Sequence, residues 1–351
     1  MAEVRAGPVP YIYVCTRMRV RKSKLIPREE YMRMLNMGLA EITRFVGESQ
    51  YKKEVDELAT SFRGIDLIEI ALSWNLAKEY QDIQTITPGT LKDLTRAYLR
   101  RWDIQNILTI IRGKLHGERK GKIKEILVPA GELDRAFLDR LLEEPTPERV
   151  IEALKGKGVH PLLSRMTEGG VREELLPKVE NELYKQFYAD LVAYAHSGIK
   201  GGRQFLDYIT LDIDITNIRT VFRVRADPSV NDISGIIIPG GTIPPQALQR
   251  IFPIKDPNEF IDALVPLVRV KPLRELLERL REEKSLRGIE IELIKVQLAE
   301  METMSKLQPF SIHPILAYLE MKKYEIFNLR ALARGKESGL TPERIRGYLV
   351  I

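Results

Sequence analysis

A ten-residue pattern occurs three times in this sequence at a constant spacing. It reads DIQNILTIIR at 103–112, DITNIRTVFR at 214–223 and EIFNLRALAR at 325–334, and successive copies lie 111 residues apart. In each copy an acid is followed by an asparagine three positions on and an arginine nine positions on: Asp103, Asn106 and Arg112; Asp214, Asn217 and Arg223; Glu325, Asn328 and Arg334. A period this long predicts three similar units of about 100 residues, each large enough for its own core, rather than the short modules of a solenoid.

The sequence around the pattern also repeats. A tyrosine followed by Leu or Ile precedes each acid, at Tyr98, Tyr208 and Tyr318. Further upstream lies a turn-like opening of two aliphatic residues and a proline: LIPREEY from Leu25, LVPAGEL from Leu127 and IIPGGTI from Ile237. The last two openings contain Gly131 and Gly241, and glycine readily adopts a positive φ in a turn. We therefore expect a short N-terminal segment followed by three repeat units, at 1–23, 24–118, 119–230 and 231–351.

Helical patterns fill most of these units. TPERVIEAL (146–154) and DPNEFIDAL (256–264) combine a capping residue, a proline at the first helical position and an apolar stripe, and TPERIR (341–346) is a shorter version. Residues 175–196 and 288–307 have the apolar spacing of long amphipathic helices, and GIKGGR (198–203) predicts a turn. Only YIYV (11–14) suggests an extended piece. The sequence therefore predicts an all-α protein made of three similar helical bundles.

The polar residues of the pattern lie on different faces of a helix. The acid and the asparagine fall beside the apolar stripe formed at positions +1, +4 and +7, whereas the arginine falls on the opposite face. These groups cannot share one small reaction centre, but they can join the helix to two different neighbours. Burying an unpaired carboxylate costs several kcal/mol, so we expect backbone amides at a helix start, or basic side chains, to bind each acid. A structural role is favoured over an enzyme site, which would require three active copies or one active copy and two relics.

Other chemical motifs are weak. GKGVHP and GIKGGR are glycine-bearing turns without the spacing of a phosphate-binding loop. Asp212 and Asp214 form a DxD pair, but their side chains diverge on a helix, which disfavours a metal site. The four histidines are scattered without zinc-ligand spacing, and Cys15 has no nucleophile partner. We expect no catalytic, cofactor-binding or metal-binding residues.

Charge leaves an alternative open. The net charge is +6, with basic residues concentrated in RMRVRKSK (17–24) and RGKLHGERKGKIK (112–124), which we interpret as solvated loops. A basic helical-repeat protein that binds nucleic acid or an acidic partner is therefore possible on charge alone, although no nucleic-acid motif supports it. No apolar run approaches the roughly 20 residues that span a bilayer. A single cysteine excludes an intrachain disulfide and favours a reducing cytoplasm.

The combination of motifs resembles a known family. YIYVCTRMRVRKSKLI (11–26), the three acid-x-x-Asn helices and PFSIHPILAYLEMKKYEIFNLRALARGKESGLTPERIR (309–346) are similar to the C subunit of archaeal-type rotary ATP synthases and to its relative, the d subunit of vacuolar proton pumps. The resemblance covers nearly the whole chain. It implies three helical domains around a pseudo-threefold axis, forming a funnel without catalytic residues or cofactors of its own.

The resemblance also implies partners and a location. The funnel would sit on the membrane proteolipid ring at the cytoplasmic face, receive the rotor shaft, and transmit torque indirectly to the nucleotide-binding head for ion-coupled ATP synthesis or hydrolysis. The chain would thus be a peripheral part of a hetero-oligomer and would bind no nucleic acid. We expect partner-facing surface in the two basic stretches and at the Pro/Gly turns: Arg17, Arg19, Arg21, Lys22, Lys24, Lys114, Lys120, Lys122, Pro129 and Pro239.

Overall fold

Helices account for all the regular secondary structure that is described. The computed structural model describes residues 9–227, 229–282 and 285–351, and no strand occurs in these ranges. The first part of the chain contains α1 Val9–Lys22, α2 Arg28–Met34, α3 Leu39–Glu48, α4 Lys52–Leu58, α5 Gly64–Ile86, α6 Gly89–Leu99 and α7 Arg101–Leu115. The middle part contains α8 Lys120–Ile126, α9 Arg135–Glu143, α10 Pro147–Ala153, α11 His160–Met166, α12 Leu176–His196 and α13 Gly202–Arg225. The last part contains α14 Pro245–Ile251, α15 Pro257–Leu264, α16 Lys271–Arg279, α17 Leu286–Leu307, α18 His313–Glu337 and α19 Pro342–Arg346. The all-α prediction is confirmed.

The order of the helices repeats along the chain. After α1, three short helices are followed by a long helix and then by the helix that carries the acid-x-x-Asn pattern. This order occurs in α2–α7, in α9–α13 and in α14–α18. In the first copy the last helix is interrupted at Arg100, between α6 and α7. The boundaries of the three predicted units stay a prediction.

Two compact units can be distinguished. One comprises the described residues up to Ile42 together with Leu191–Ile351, and the other comprises Thr43–Asp190. In the first unit α17 packs against α13, α16 and α18, and α1 packs against α18. In the second unit α5 packs against α4 and α8, and α7 packs against α9 and α10. The first unit contains the motif helices α13 and α18, and the second contains the motif helix α7.

The helix starts read from the sequence are confirmed. Prolines 147, 257 and 342 each occupy the first helical position, and the preceding residue caps the helix. The capping side chains accept hydrogen bonds from the N–H of Arg149, Glu259 and Arg344, respectively. The long helices α12 and α17 and the turn between α12 and α13 also lie where the sequence predicts them.

Two local expectations were wrong. YIYV is not extended, and 17–24 is not a loop, because α1 runs through both as far as Lys22. Val14, Cys15 and Met18 lie on one helical face, and all three are buried, so burial in this stretch follows a helical period. The second basic stretch is mainly helical as well, since α7 continues to Leu115 and α8 starts at Lys120.

Candidate functional site

The three copies of the pattern lie on α7, α13 and α18 with their apolar face in the core. All the aliphatic residues at positions +1, +4 and +7 are buried: Ile104, Ile107, Ile110, Ile215, Ile218, Val221, Ile326, Leu329 and Leu332. The acids and asparagines beside them are also buried: Asp103, Asn106, Asp214, Asn217, Glu325 and Asn328. Six buried polar side chains therefore require partners within the fold.

Each asparagine binds the backbone of one residue through both ends of its amide. Asn106 accepts a hydrogen bond from the N–H of Val128 at 2.9 Å and donates to the Val128 carbonyl at 2.8 Å. Asn217 makes the same pair of bonds with Ile238, at 2.9 and 2.8 Å. Asn328 makes it with Val350, at 2.8 Å for both bonds. The amide thus reproduces the pairing of one strand residue with another and holds an extended segment against the helix.

The acids bind the next part of the same segments. Asp103 accepts from the N–H of Glu132 at 2.8 Å and from the N–H of Leu133 at 3.0 Å. Asp214 accepts from the N–H of Ile243 at 3.1 Å and from the hydroxyl of Thr242 at 2.5 Å. The openings LVPAGEL and IIPGGTI therefore dock onto the motif helix that precedes them in the chain. In terms of the predicted repeat units, each of these acids meets its partners across a unit boundary.

Glycine makes this docking possible. An added Cβ at Gly131 would lie 2.2 Å from a carboxylate oxygen of Asp103, and one at Gly241 would lie 2.2 Å from a carboxylate oxygen of Asp214. Neither glycine has a positive φ. The sequence singled out these glycines as turn residues, but they are needed because the acid occupies the space of their missing side chain.

The third copy is assembled from two distant parts of the chain. Val350, which pairs with Asn328, lies close to the end of the sequence, whereas Glu325 accepts from the N–H of Ile26, 299 residues away, at 2.6 Å. The opening LIPREEY thus serves the last motif helix. A second donor to Glu325 is the ammonium group of Lys322, at 3.0 Å, and the Lys322 side chain is fully buried. Lys322 does not belong to the repeated pattern; its position one helical turn before the acid is the sequence signal that points to it.

The arginines at position +9 leave the helix on the other side. Arg112 forms an ion pair with Glu180 of α12, and Arg223 forms one with Glu290 of α17. Arg334 is exposed on α18. In the first two copies the acid and the arginine therefore bind different elements rather than a common ligand.

Burial is the main cause of the pKa shifts of the first two acids. Burial raises the pKa of Asp103 to about 6, although the N–H groups of Leu133 and Glu132 oppose the shift. Burial likewise raises the pKa of Asp214, opposed by the bonds from Thr242 and Ile243. A cavity of about 50 Å³ adjoins Asp103, with room for one or two water molecules.

The ten residues expected to face partners lie in different surroundings. Arg17, Arg19, Arg21 and Lys22 lie on α1, and Lys24 is exposed just after it. Lys120 and Lys122 are exposed and pair with Glu143 and Glu118. Pro239 is exposed as well.

Lys114 and Pro129 make internal contacts that involve backbone carbonyls. Lys114 donates to the carbonyls of Leu142 and Glu144, and burial lowers its pKa. Pro129 is buried and its carbonyl accepts from Gln81 at 2.8 Å. Pro129 is therefore not surface, because the segment that contains it is held against α7 through Asn106.

Comparisons with known proteins show which family the chain belongs to. None of the described helices combines the length and apolar character that a membrane-spanning segment requires. The C subunit of the A-type ATP synthase of Methanosarcina acetivorans is 38% identical over 351 residues, which is 99% of this chain and 94% of the relative. The proteins of the same name from Haloferax volcanii and Archaeoglobus fulgidus are 35% and 34% identical, each over 97% of this chain and over 97% and 96% of the relatives. The family model described as ATP synthase (C/AC39) subunit matches residues 14–348, and the chain therefore belongs to this family.

Proposed function

We propose that the chain is the C subunit of an A-type ATP synthase and that it acts as a non-catalytic linker in the central stalk. In this role it joins the membrane proteolipid ring to the rotor shaft and transmits torque between them. The observation that carries the proposal is the similarity to the C subunits of A-type ATP synthases over nearly the full length of both chains. The acid-x-x-Asn motif supports it, because its polar groups are used to hold backbone segments of the same chain.

The proposed role requires stiffness, and the three motif helices supply a physical basis for it. The first two each bind one segment through an asparagine pair and a buried acid, and the third binds two segments, one through its asparagine and one through its acid. None of these segments can move without leaving buried polar groups unpaired. We further propose that the three predicted units form a pseudo-threefold funnel at the cytoplasmic face of the membrane. The exposed residues Lys24, Lys120, Lys122 and Pro239 belong, in this proposal, to surface that contacts the other proteins of the complex.

Co-purification and reconstitution test the function. The chain should co-purify with the proteolipid ring and the shaft proteins from detergent-solubilised complex. A complex assembled without the chain should retain ATP hydrolysis in the head but lose ATP-driven ion transport, because the head and the ring are then uncoupled. If ion transport coupled to hydrolysis persists in the complex that lacks the chain, the proposal is incorrect.

A matched pair of variants tests the contact surface. Lys24→Glu combined with Lys122→Glu should weaken assembly with the ring or shaft. Lys155→Glu combined with Lys271→Glu, at two well-exposed lysines in the turn after α10 and at the start of α16, makes the same change in net charge and should leave assembly intact. Equal assembly of both double variants would remove these residues from the proposed interface. A salt-dependent gel shift with duplex DNA or RNA would favour the alternative that the basic surface binds nucleic acid.

A further inference from the structure

Large apolar side chains are exposed together at one place in the first compact unit. Ile12, Tyr13 and Val20 of α1 are 41%, 55% and 51% exposed. In and beside the turn between α17 and α18, Leu307 is 76% exposed and Phe310 is 47% exposed. We call these five residues, with Arg17 and Arg19, the α1 patch.

The patch occupies the outward face of α1. Val14, Cys15 and Met18 face the core, and the exposed apolar residues lie on the opposite side of the helix. At about 100° per residue, Ile12, Val20 and Tyr13 cover an arc of roughly 100°. Arg17 and Arg19 flank the two edges of this arc. An apolar stripe bordered by arginines thus points away from the protein.

Contacts join the helix to the neighbouring turn. The guanidinium group of Arg19 donates to the Pro309 carbonyl at 3.4 Å, and its Cζ lies 5.7 Å from the centre of the Phe310 ring. The thiol of Cys15 lies 3.5 Å from the Ser311 carbonyl oxygen. Arg19, at one edge of the exposed face of α1, therefore joins that face to the turn that carries Phe310.

The charged side chains of α1 are all cations. The α1 sequence contains no acid and ends with Arg17, Arg19, Arg21 and Lys22. The segment 307–312 contains no acid either. Of these cations, Lys22 is partly neutralised by Glu302 at 2.8 Å. An occupant that complements the patch is thus anionic where it meets the arginines and apolar between them.

Anionic lipid at a membrane surface has this chemistry. A helix that lies on a bilayer places apolar and aromatic side chains at the level of the headgroups and directs arginines to the phosphates. Tyrosine is favoured at this depth because its ring is apolar and its hydroxyl is polar. We propose that the α1 patch docks against anionic lipid headgroups, so that the chain touches the membrane directly. The inference deepens the proposed function, which places the chain beside a membrane.

Vesicle flotation with the full-length chain tests the proposal. The chain should float with vesicles of phosphatidylcholine and phosphatidylglycerol and should not float with vesicles of phosphatidylcholine alone. Arg17→Gln should weaken binding about fivefold, since each basic residue near such a surface contributes about 1 kcal/mol. Tyr13→Ser combined with Val20→Ser should abolish flotation, and raising the salt concentration should weaken it for the unaltered chain.

Controls separate a local effect from unfolding or from net charge. Lys155→Gln removes one exposed charge elsewhere and should bind the anionic vesicles like the unaltered chain. Circular dichroism should show unchanged helix content in Tyr13→Ser/Val20→Ser, because both side chains are exposed. Phe310→Trp should show a blue-shifted emission when the anionic vesicles are added, which reports burial of that position in lipid.

The outcomes distinguish this inference from the proposed function. Absence of flotation with anionic vesicles, or equal loss in Lys155→Gln and Arg17→Gln, overturns lipid docking. If Tyr13→Ser/Val20→Ser disrupts binding to the detergent-solubilised ring while no vesicle recruits the chain, the patch is a protein contact; the lipid proposal then fails and the proposed function stands. Flotation without co-purification of ring and shaft would support lipid docking and contradict the function.

Discussion

At the scale of single residues, the buried acids determine which residues can occupy the positions that pack against them. Asp103 and Asp214 reach the backbone of their segments only because Gly131 and Gly241 have no side chain there. In the third copy Lys24 stands two residues before Ile26, where the other segments have glycine two residues before Leu133 and Ile243. The third acid is a glutamate, one methylene longer, and Lys322 supplies a second donor. The third copy thus differs from the other two in three ways: the acid is longer, lysine replaces the glycine, and a lysine side chain donates to the acid.

Gly131→Ala should destabilise the protein, because the new methyl group would overlap the Asp103 carboxylate. Overpacking of this kind costs about 1–3 kcal/mol, measured as a lower midpoint of urea denaturation. Gly121→Ala is the control, since its Cβ would meet no atom within 4 Å and alanine favours the helix. In an Asp103→Ala background, Gly131→Ala should cost much less than in the unaltered chain. Additive costs would contradict the overlap.

The raised pKa of Asp103 predicts a pH dependence of stability. The pKa is about 6 in the folded protein against an ordinary value of 3.8, so the folded state binds more protons than the unfolded state between these values. The contribution of Asp103 to the free energy of unfolding should therefore fall as the pH rises from about 4 to 6. Carboxyl NMR should give a titration midpoint near the upper end of this window.

Asp103→Asn isolates this contribution from other titrating groups. The difference in unfolding free energy between the unaltered chain and the variant should shrink as the pH rises through the same window. A constant difference would mean that the N–H bonds from Glu132 and Leu133 balance burial, and an NMR midpoint below the ordinary value would mean that they outweigh it.

The buried Lys322–Glu325 pair should be sensitive to removal of one partner. Lys322→Met removes the ammonium group that donates to the Glu325 carboxylate, and breaking a buried pair costs about 3–5 kcal/mol. Lys322→Met combined with Glu325→Gln should be more stable than Lys322→Met alone, because the side chain that loses the lysine is then neutral. Lys155→Met, at an exposed pair with Glu152, should change stability by less than about 1 kcal/mol. Thermal denaturation of the unaltered chain and the three variants measures the order of their stabilities.

At the scale of elements, two motif helices end in the same way. The N–H of Glu118 donates to the Gly113 carbonyl, and the N–H of Leu340 donates to the Gly335 carbonyl. These bonds form the turns that end α7 and α18. A Cβ at Gly113 would lie 2.5 Å from Ile123 of α8, and one at Gly335 would lie 2.6 Å from Ile345 of α19. The second copy has Val224 at this position, and no helix is described between α13 and α14. Glycine is thus present where a short helix packs back onto the motif helix.

Gly335→Ala should loosen α19 because the methyl group would displace Ile345. We expect a loss of about 1–3 kcal/mol and faster hydrogen exchange in 342–346. Ile345→Ala is destabilising by itself, but the double variant should be more stable than the sum of the two costs predicts, since the overlap is then absent. Strict additivity, with unchanged exchange in α19, would show that the two residues do not constrain each other.

Sequence patterns predicted the helices better than the contacts between distant parts of the chain. Local signals predict helix starts with a cap and a proline, such as Thr146–Pro147, and also the long amphipathic helices. Both predictions were confirmed. YIYV was misjudged because its buried face becomes visible only when Met18 is included in the period. The pairing of Ile26 with Glu325 spans most of the chain, and no local pattern encodes such a contact. The need for glycine at position 131 likewise depends on an acid 28 residues earlier.

At the scale of the whole molecule, the first compact unit joins the early and late parts of the sequence. Besides the bond from Ile26 to Glu325, Lys22 pairs with Glu302 and Lys336 donates to the Leu35 carbonyl. Helix α1 buries Val14, Cys15 and Met18 and packs against α18. The stability of the last motif helix therefore depends on residues at the other end of the sequence.

Ile26→Pro tests this dependence by removing the N–H that donates to Glu325. The buried carboxylate would lose a donor at 2.6 Å, which costs about 1–3 kcal/mol or more for a charged group. Hydrogen exchange should therefore accelerate in α18, almost 300 residues away, while α7 in the other compact unit keeps its protection. Arg28→Pro is the matched control, because Arg28 is the first residue of α2 and a proline there removes an N–H that has no partner within the helix. If Arg28→Pro and Ile26→Pro accelerate exchange in α18 equally, the effect comes from the altered backbone and not from Glu325. If only Ile26→Pro does so, the bond between the two ends of the sequence holds the third motif helix in place.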